Sequence, residues 1–375
     1  MKVQLLDLAS QYKKIRKEAL EEIRKVCDSQ HYILGKNVAA LESEIAAYSG
    51  AKYAIGVASG TDAILIALMA AGVKAGDKVV TTPFTFFATA GSISRIGAIP
   101  VFVDIDPETY NIDPAALEAL LKKSSKGVKA IIPVHLYGQC ADMDRLMKIA
   151  KKYKLSVIED AAQSIGAGYK GKRAGSIGHM GCLSFYPTKN LGCFGDGGMI
   201  TTNDAKLAER SKMLRVHGSR VRYYHDEVGA NSRLDEIQAA VLRVKLKRLD
   251  SWATGREKNA KRYDSLFARA AIKGVLSTPR ISDGCTSVYN QYVIRVKKRD
   301  ELRAFLAAAG IGSEVYYPLP LHMQKCFKGL GYKKGAFPVS EKAAKEVLAL
   351  PIYPELKPAE IKHVVETIAS FFEKA

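Results

Sequence analysis

The richest stretch for chemistry runs from Val157 to Gly198. Val157-Ile158-Glu159-Asp160-Ala161-Ala162-Gln163-Ser164 places an acid at the end of a short apolar run that reads as a buried β-strand. Open α/β sheets hold their ligands at the carboxyl ends of such strands. A carboxylate there demands a cationic partner, and its plainer reading is a loop or capping aspartate. Further along, Ser184-Phe185-Tyr186-Pro187-Thr188-Lys189-Asn190-Leu191-Gly192 leaves a strand, turns at proline and presents a lysine, followed by Gly195-Asp196-Gly197-Gly198. An unprotonated lysine attacks carbonyls and relays protons, whereas one lysine among many is ordinarily a solvated surface group.

Two other patterns fail on context. Gly166-Ala167-Gly168-Tyr169-Lys170-Gly171 matches the dinucleotide fingerprint letter for letter. That fingerprint must open a helix, and the following Lys172-Arg173-Ala174-Gly175-Ser176 is a poor helix start, so surface turns are expected. His179 and Cys182 have the spacing of a ligand pair, but no third or fourth ligand follows. No metal site is expected.

Short apolar runs alternate with longer amphipathic ones, which argues for an α/β protein. The expected strands are Lys78–Thr82, Pro100–Asp104, Ala130–Val134, Ser156–Glu159, Cys182–Phe185 and Met199–Thr201. Ser59-Gly60-Thr61-Asp62 opens an apolar helix, Asp113-Pro114 caps another, and Asp142–Tyr153 and Asp204–Val216 read as amphipathic helices. Ser164 to Met180 is Gly-rich and irregular. From Arg233 the pattern is helical through Leu249, and a second helix runs towards Phe267. A strand (Tyr289–Val296), a helix (Arg299–Ala309), a loop with Pro318 and Pro320, and a closing helix (Pro358–Phe372) follow. The division between two domains is placed near residue 250, giving 1–250 and 251–375.

The composition fits that plan. The 375 residues, 47% hydrophobic and 25% charged, are those of a globular chain able to bury its cores without disulfides. The six cysteines are scattered, which fits a reducing, cytoplasmic compartment. Met1-Lys2-Val3-Gln4-Leu5-Leu6-Asp7 puts an acid where a secretory signal needs an apolar core. The most apolar helix candidate, Ala63 to Val73, is shorter than the roughly 20 residues that span a bilayer. A net charge of +19 would suit nucleic acid, anionic lipid or a phosphorylated small molecule. The basic residues are spread along stretches read as helical, such as Lys13–Lys25, Lys122–Lys129 and Arg243–Arg262, without an aromatic-interleaved stripe. Neither nucleic acid nor membrane is expected as a partner.

Taken together, the segments resemble the DegT/DnrJ/EryC1/StrS family of sugar aminotransferases. The resemblance spans nearly the whole chain: Tyr32-Ile33-Leu34-Gly35, Ser59-Gly60-Thr61-Asp62-Ala63, Pro83-Phe84-Thr85-Phe86, Tyr110-Asn111-Ile112-Asp113, Glu159-Asp160-Ala161-Ala162-Gln163, the lysine segment, Asn231-Ser232-Arg233-Leu234-Asp235 and Tyr316-Tyr317-Pro318-Leu319-Pro320-Leu321-His322. It implies the pyridoxal 5′-phosphate transferase fold type I of aspartate aminotransferase, with a mostly parallel sheet in a large domain and a smaller C-terminal α/β domain. It makes Lys189 the Schiff-base lysine and Asp160 the partner of the pyridine nitrogen. Gln163 is then expected at the phenolic oxygen and Phe86 on the ring face.

Gly60 and Thr61 open a helix whose amides suit a phosphate dianion, with Ser184 adding a hydroxyl. The resemblance implies that Asn231 reaches the phosphate of the neighbouring subunit, so that the active sites of a homodimer are shared; its plainer reading is a helix N-cap. Arg233, Tyr316, Tyr317 and His322 are expected at the substrate. Arg233 suits a carboxylate through its planar fork, or else pairs with Asp235 or Glu236. A dehydratase branch carries histidine in place of the lysine, and Lys189 argues against it.

Tyr137-Gly138-Gln139-Cys140-Ala141-Asp142 and Tyr223-Tyr224-His225 look closest to enzymes that aminate UDP-2-acetamido-3-oxo sugars. The implied reaction moves nitrogen from L-glutamate to the 3-keto carbon, through the pyridoxamine phosphate form, in amino-sugar synthesis for surface polysaccharide or lipopolysaccharide. Tyr316 departs from relatives that carry histidine there, which leaves glucuronate and hexose both open. Amination at carbon 4, or of a dTDP-ketosugar, is the nearby alternative. A regulatory or nucleic-acid-binding protein and an NAD-dependent sugar oxidoreductase are the alternatives of other classes.

Overall fold

The computed structural model describes residues 1–270, 272 and 274–373. Seven strands form the main sheet: β1 (Tyr53–Val57), β2 (Lys78–Thr81), β3 (Ile99–Phe102), β4 (Val128–Ile131), β5 (Ser156–Asp160), β6 (Met180–Ser184) and β7 (Gly198–Thr202). Their order is β1-β7-β6-β5-β4-β2-β3. From β3 to β6 all neighbours are parallel, and β7 runs antiparallel to both β6 and β1. The sequence reading found all of these strands except β1, a five-residue run with glycine at its fourth position and no polar alternation to mark a face.

Alternate strand residues feed opposite cores, as a pleat requires. Val79, Ile158 and Ile200 pack on one side with Ile64 and Leu68, while Val80, Val157 and Met199 pack on the other with Leu117 and Leu146. Both faces are thereby covered, which is why the strands read as continuous apolar runs.

The covering helices begin where local capping groups put them. The chain supplies α1 (Leu8–Ser29), α2 (Lys36–Ser49), α3 (Gly60–Ala70), α4 (Phe87–Arg95), α5 (Pro114–Lys123), α6 (Met143–Tyr153) and α7 (Ala205–Leu214). Ser59 Oγ accepts the Asp62 amide at 3.1 Å, and Asp113, Asp142 and Asp204 cap α5, α6 and α7 in the same manner. Lys122–Lys129 is not one helix: α5 ends at Lys123 and β4 starts at Val128. The Gly166–Gly171 stretch forms a hairpin of Gly168–Tyr169 with Lys172–Arg173, docked on Cys285–Thr286, and opens no helix.

The two helices expected after Arg233 are present, the first starting later and ending earlier than its pattern suggests. The described elements are α8 (Glu236–Leu246) and α9 (Leu249–Arg269). Asn231 bridges to Val216 and Asp235 to Ile33, so residues 231–235 are held extended. Asn231 therefore caps no helix.

A second sheet contains β8 (Leu276–Ser277), β9 (Tyr292–Val296) and β10 (Val347–Leu350), antiparallel in that order. It is covered by α10 (Arg299–Ala308), α11 (Pro338–Glu346) and α12 (Pro358–Glu373). β9 begins after Tyr289, whose φ of 44° is incompatible with a strand. The reading missed β10, which follows α11 without a turn residue between them. We propose that the division between two units runs through the start of α9. Leu249 packs with the main sheet, while Ala260, Tyr263 and Phe267 pack with the second one. The second core also takes Val3 from the N-terminus and Phe84 and Tyr137 from main-sheet loops.

Candidate active site

The carboxyl ends of β5 and β6, the start of α3 and the loop after β6 enclose a cavity of about 590 Å³. Residues around β9 and β10 close its other side. Asp160, Gln163, Ser184, Lys189, Gly60, Thr61, Phe86, Tyr316 and Tyr317 all line it. Most of the expected site is thus brought to one place.

Asp160 ends β5 as a buried carboxylate. Thr89 Oγ1, from α4, donates to its Oδ2 at 2.7 Å, and the Ala162 amide donates to Oδ1 at 3.2 Å. Burial pushes its pKa up, and these hydrogen bonds together with the charges of Lys189 and His135 oppose the shift. Lys189 lies in the turn after β6, its backbone amide bonded to the Tyr186 carbonyl at 2.9 Å. Among the described residues its side chain has no ion pair closer than 4 Å, only the more distant field of Asp160. Loss of hydration lowers its pKa from 10.5 to about 8, Asp160 acting in the opposite sense.

The sign of that shift has a measurable consequence. A lysine with a depressed pKa is neutral above about 8, and only the neutral amine attacks a carbonyl. Capture of an aldehyde by the ligand-free protein should therefore speed up as pH rises through about 8 and level off above it. Stopped-flow absorbance with pyridoxal phosphate reads this directly; a rate still climbing steeply at pH 10 would show an ordinary surface lysine.

The start of α3 is built for close approach. A Cβ on Gly60 would lie 2.6 Å from Ser184 Cβ, and one on Gly198 would lie 2.3 Å from the Ser59 carbonyl oxygen. First-turn amides lack intrahelical acceptors, so those of Gly60 and Thr61, with the Ser184 hydroxyl beside them, suit an anion.

Gln163 spans the cavity wall. Its Oε1 accepts from the Tyr137 amide at 2.8 Å and its Nε2 donates to the Tyr317 hydroxyl at 3.0 Å. One N–H of the amide remains for a ligand. Phe86 is 58% exposed, its ring tilted against Tyr317 with centroids 6.1 Å apart. The Tyr137 hydroxyl donates to the Tyr316 carbonyl, which fixes Tyr316 at the rim.

Three expected residues lie elsewhere. His322 is buried and does not line this cavity, with its ring 4.8 Å from that of Phe337 and its Nε2 3.1 Å from Glu341. Asn231 is exposed and accepts from Arg233 Nη2 at 2.7 Å, and neither lines the cavity of its own chain. Arg233 makes no ion pair with Asp235 or Glu236. Glu236 instead accepts the Gly35 and Val38 amides at 3.1 and 3.0 Å, anchoring the start of α2.

The reading missed Thr89, and it also missed the group behind Asp160. Glu159 points to the other face of β5, wholly buried, and accepts from His135 at 2.7 Å and from the Gly175, Ile177 and Gly178 amides at 2.8, 2.7 and 2.6 Å. His135 Nδ1 accepts the Ala141 amide at 3.1 Å, so the remaining proton sits on Nε2 and points at Glu159. The adjacent acids Glu159 and Asp160 were the available signal, because a pleat sends neighbours to opposite faces.

A family model described as the DegT/DnrJ/EryC1/StrS aminotransferase family matches residues 13–369. The chain belongs to this family. It is 56% identical over 372 residues to the pleiotropic regulatory protein of Geobacillus stearothermophilus, covering 99% of each chain. It is 45% identical over 368 residues to the UDP-2-acetamido-2-deoxy-3-oxo-D-glucuronate aminotransferase of Pseudomonas aeruginosa, covering 98% of this chain and 100% of that one. The dTDP-3-amino-3,4,6-trideoxy-alpha-D-glucose transaminase of Streptomyces venezuelae is 40% identical over 373 residues, covering 100% of this chain and 97% of that one. The crystal structure of S. venezuelae DesV in complex with a ketimine intermediate superposes with a TM-score of 0.95 at 40% identity, covering 100% and 99% of the two chains.

The fold of this DegT/DnrJ/EryC1/StrS family member is the type I fold of pyridoxal-phosphate-dependent transferases, and its cavity fits that cofactor. Gly60, where a Cβ would meet the Ser184 side chain, lets that hydroxyl close on the α3 amides that suit a phosphate, Asp160 offers a buried carboxylate to a ring nitrogen, and Lys189 offers an amine with no hydrogen-bond partner among the described residues.

Proposed function

We propose that the protein transfers the amino group of L-glutamate to the 3-keto carbon of a UDP-linked 2-acetamido-3-oxo sugar, glucuronate or hexose, as a cytoplasmic homodimer with shared active sites. The observation that carries the amino transfer is the placing in one cavity of a lysine with a depressed pKa and a buried aspartate, and the likeness to the UDP-2-acetamido-2-deoxy-3-oxo-D-glucuronate aminotransferase supports the sugar. Bound there, pyridoxal phosphate supplies an aldehyde for the amine and a ring that withdraws electrons from the reacting carbon. Lys189 Nζ holds the cofactor at rest and carries the proton between the substrate carbon and the cofactor side. Asp160, kept in place by Thr89, holds a proton on the ring nitrogen. The α3 amides and Ser184 hold the phosphate, Gln163 donates to the phenolic oxygen, and Phe86 covers the ring face. Tyr316 and Tyr317 flank the sugar.

The dimer is supported by a charge deficit. Lys189 is the one cation among the residues lining the cavity, alongside the acids Asp160 and Asp196. Glutamate, a nucleotide diphosphate and the cofactor phosphate are all anionic, so further positive groups must come from elsewhere. Arg233 of a second copy, which makes no ion pair among the described residues, answers that need, and Asn231 beside it adds an uncharged polar group. The exposed Tyr32, Ile33, Leu34, Tyr223, Tyr224 and Val228 supply apolar surface for such a contact. Mixing inactive Lys189→Ala with inactive Asn231→Ala chains should restore activity through heterodimers that contain one intact site. No recovery in demonstrated heterodimers would place Asn231 in service of its own chain.

The sugar is tested by half-reactions. Protein first converted with L-glutamate should be returned to its starting form fastest by a UDP-2-acetamido-3-oxo sugar. Arg233→Ala should slow that return for a uronate with the glutamate half nearly unchanged where Arg233 binds the uronate, and should slow the glutamate half instead where it binds the glutamate side-chain carboxylate. Preference for a dTDP-ketosugar or for a 4-keto sugar would redirect the assignment within the family, and preference for the uncharged hexose over the uronate would reject the glucuronate alone.

The relative named as a pleiotropic regulatory protein raises a different class. That reading needs no lysine and aspartate in one cavity, and it requires salt-sensitive nucleic-acid binding. No helix among the described residues is long and apolar enough to cross a membrane.

A further inference from the structure

The turn that carries Lys189 is closed upon itself. The Cys193 amide donates to the Phe185 carbonyl at 2.8 Å, and a Cβ on Gly192 would lie 2.4 Å from the Pro187 oxygen. Only a glycine permits that closure. Asn190 Nδ2 donates to the Val288 carbonyl at 2.9 Å and Leu191 is fully buried, so the turn is pinned directly after Lys189.

One residue further on, the buried Gly192 carbonyl is met by Lys245 Nζ at 2.5 Å. Lys245 comes from the end of α8 and is 4% exposed. It has no carboxylate partner within 4 Å among the described residues, and its Nζ lies 4.8 Å from the centre of the Phe194 ring. Burial lowers its pKa to about 8. A methionine would fill the same space without burying an amine. What methionine lacks is the N–H that the Gly192 carbonyl needs, and a buried carbonyl left without a donor moves to find one.

We propose that Lys245 is a positioning residue for Lys189, its buried amine holding the Gly192 carbonyl and so fixing the turn that aims Lys189 into the cavity. The proposal rests on the reading of Lys189 as the cofactor-holding lysine. Lys245 does not line the cavity and acts through the turn alone. Both its charged and neutral forms donate to the carbonyl, so titration near pH 8 leaves this role intact.

The test separates holding the cofactor from aiming the lysine. Ligand-free wild-type and Lys245→Met proteins are titrated with 4′-deoxypyridoxine 5′-phosphate, which has no aldehyde, and then mixed with pyridoxal phosphate while the lysine-linked absorbance band is followed. Misplacement of a reacting group by about 1 Å costs roughly 100-fold in rate. The variant should bind the aldehyde-free analogue within about threefold of wild type but capture pyridoxal phosphate at least about tenfold more slowly, and its kcat should fall with KM nearly unchanged. If Lys245→Met does not fold, Lys245→Arg carries the test, because the longer guanidinium displaces the carbonyl it holds and slows capture with analogue binding retained. Capture at the wild-type rate in either folded variant would overturn the proposal. Failure of wild type itself to capture pyridoxal phosphate would instead overturn the reading on which it rests.

Discussion

Lys189→Ala should abolish amino transfer, by at least about 10⁴-fold, because the same amine holds the cofactor and moves the proton, and a positioned acid–base group alone is worth roughly 10²–10⁴. The fold should survive. The lysine makes no side-chain hydrogen bond among the described residues, and burial already depresses its pKa, so its removal relieves an unfavourable desolvation and breaks no network. A steady-state assay together with a melting curve of the ligand-free variant checks both halves. Appreciable turnover, or collapse of the variant, would count against the assignment. Added methylamine should restore a small part of the activity, since the cavity left by the side chain opens onto the site.

Asp160→Asn tests the second group at the site. The amide keeps the shape and can still meet Thr89, whose Oγ1 lies 2.7 Å from the carboxylate, but it carries no charge to oppose a ring N–H⁺. The loss of one preorganised electrostatic group typically costs about 10²–10³ in kcat. The variant should therefore retain cofactor through the α3 amides, Ser184 and Lys189 while turnover falls by about that factor. Near-normal turnover would refute the role. Glu159→Gln should behave differently: Glu159 accepts three backbone amides and His135, and a glutamine would turn an N–H towards donors. Its effect is on stability, and it serves as a contrast showing that the two neighbouring acids do separate jobs.

Helix starts were legible because Ser59, Asp113, Asp142 and Asp204 bond to amides two or three residues on, a relation contained within the sequence window. Six of the main strands were legible from apolar runs covered on both faces. What could not be read locally depended on distant partners. The pattern looks helical from Arg233, yet pairing of Asn231 with Val216 and of Asp235 with Ile33 keeps the run into α8 extended. Thr89 lies on a helix that gives no sign of the carboxylate it will meet. His322 looks like a site residue beside Tyr316 and Tyr317, but Phe337 and Glu341 draw its ring inward. The meeting of Lys189 with Asp160 was expected from family resemblance alone; spacing left each as an ordinary surface or capping residue. The antiparallel β7, which brings Gly198 against the Ser59 carbonyl and so shapes the phosphate cradle, carries no mark in its own five residues.

The central claim is that Lys189 is the amine that reacts with the cofactor, and borohydride reduction of wild-type protein loaded with pyridoxal phosphate tests it most directly. Digestion and mass spectrometry should find the reduced phosphopyridoxyl group on Lys189 alone, and prior incubation with L-glutamate should abolish the label while 2-oxoglutarate appears in matching amount. Stable label on another lysine, or label that glutamate leaves untouched, would contradict the account.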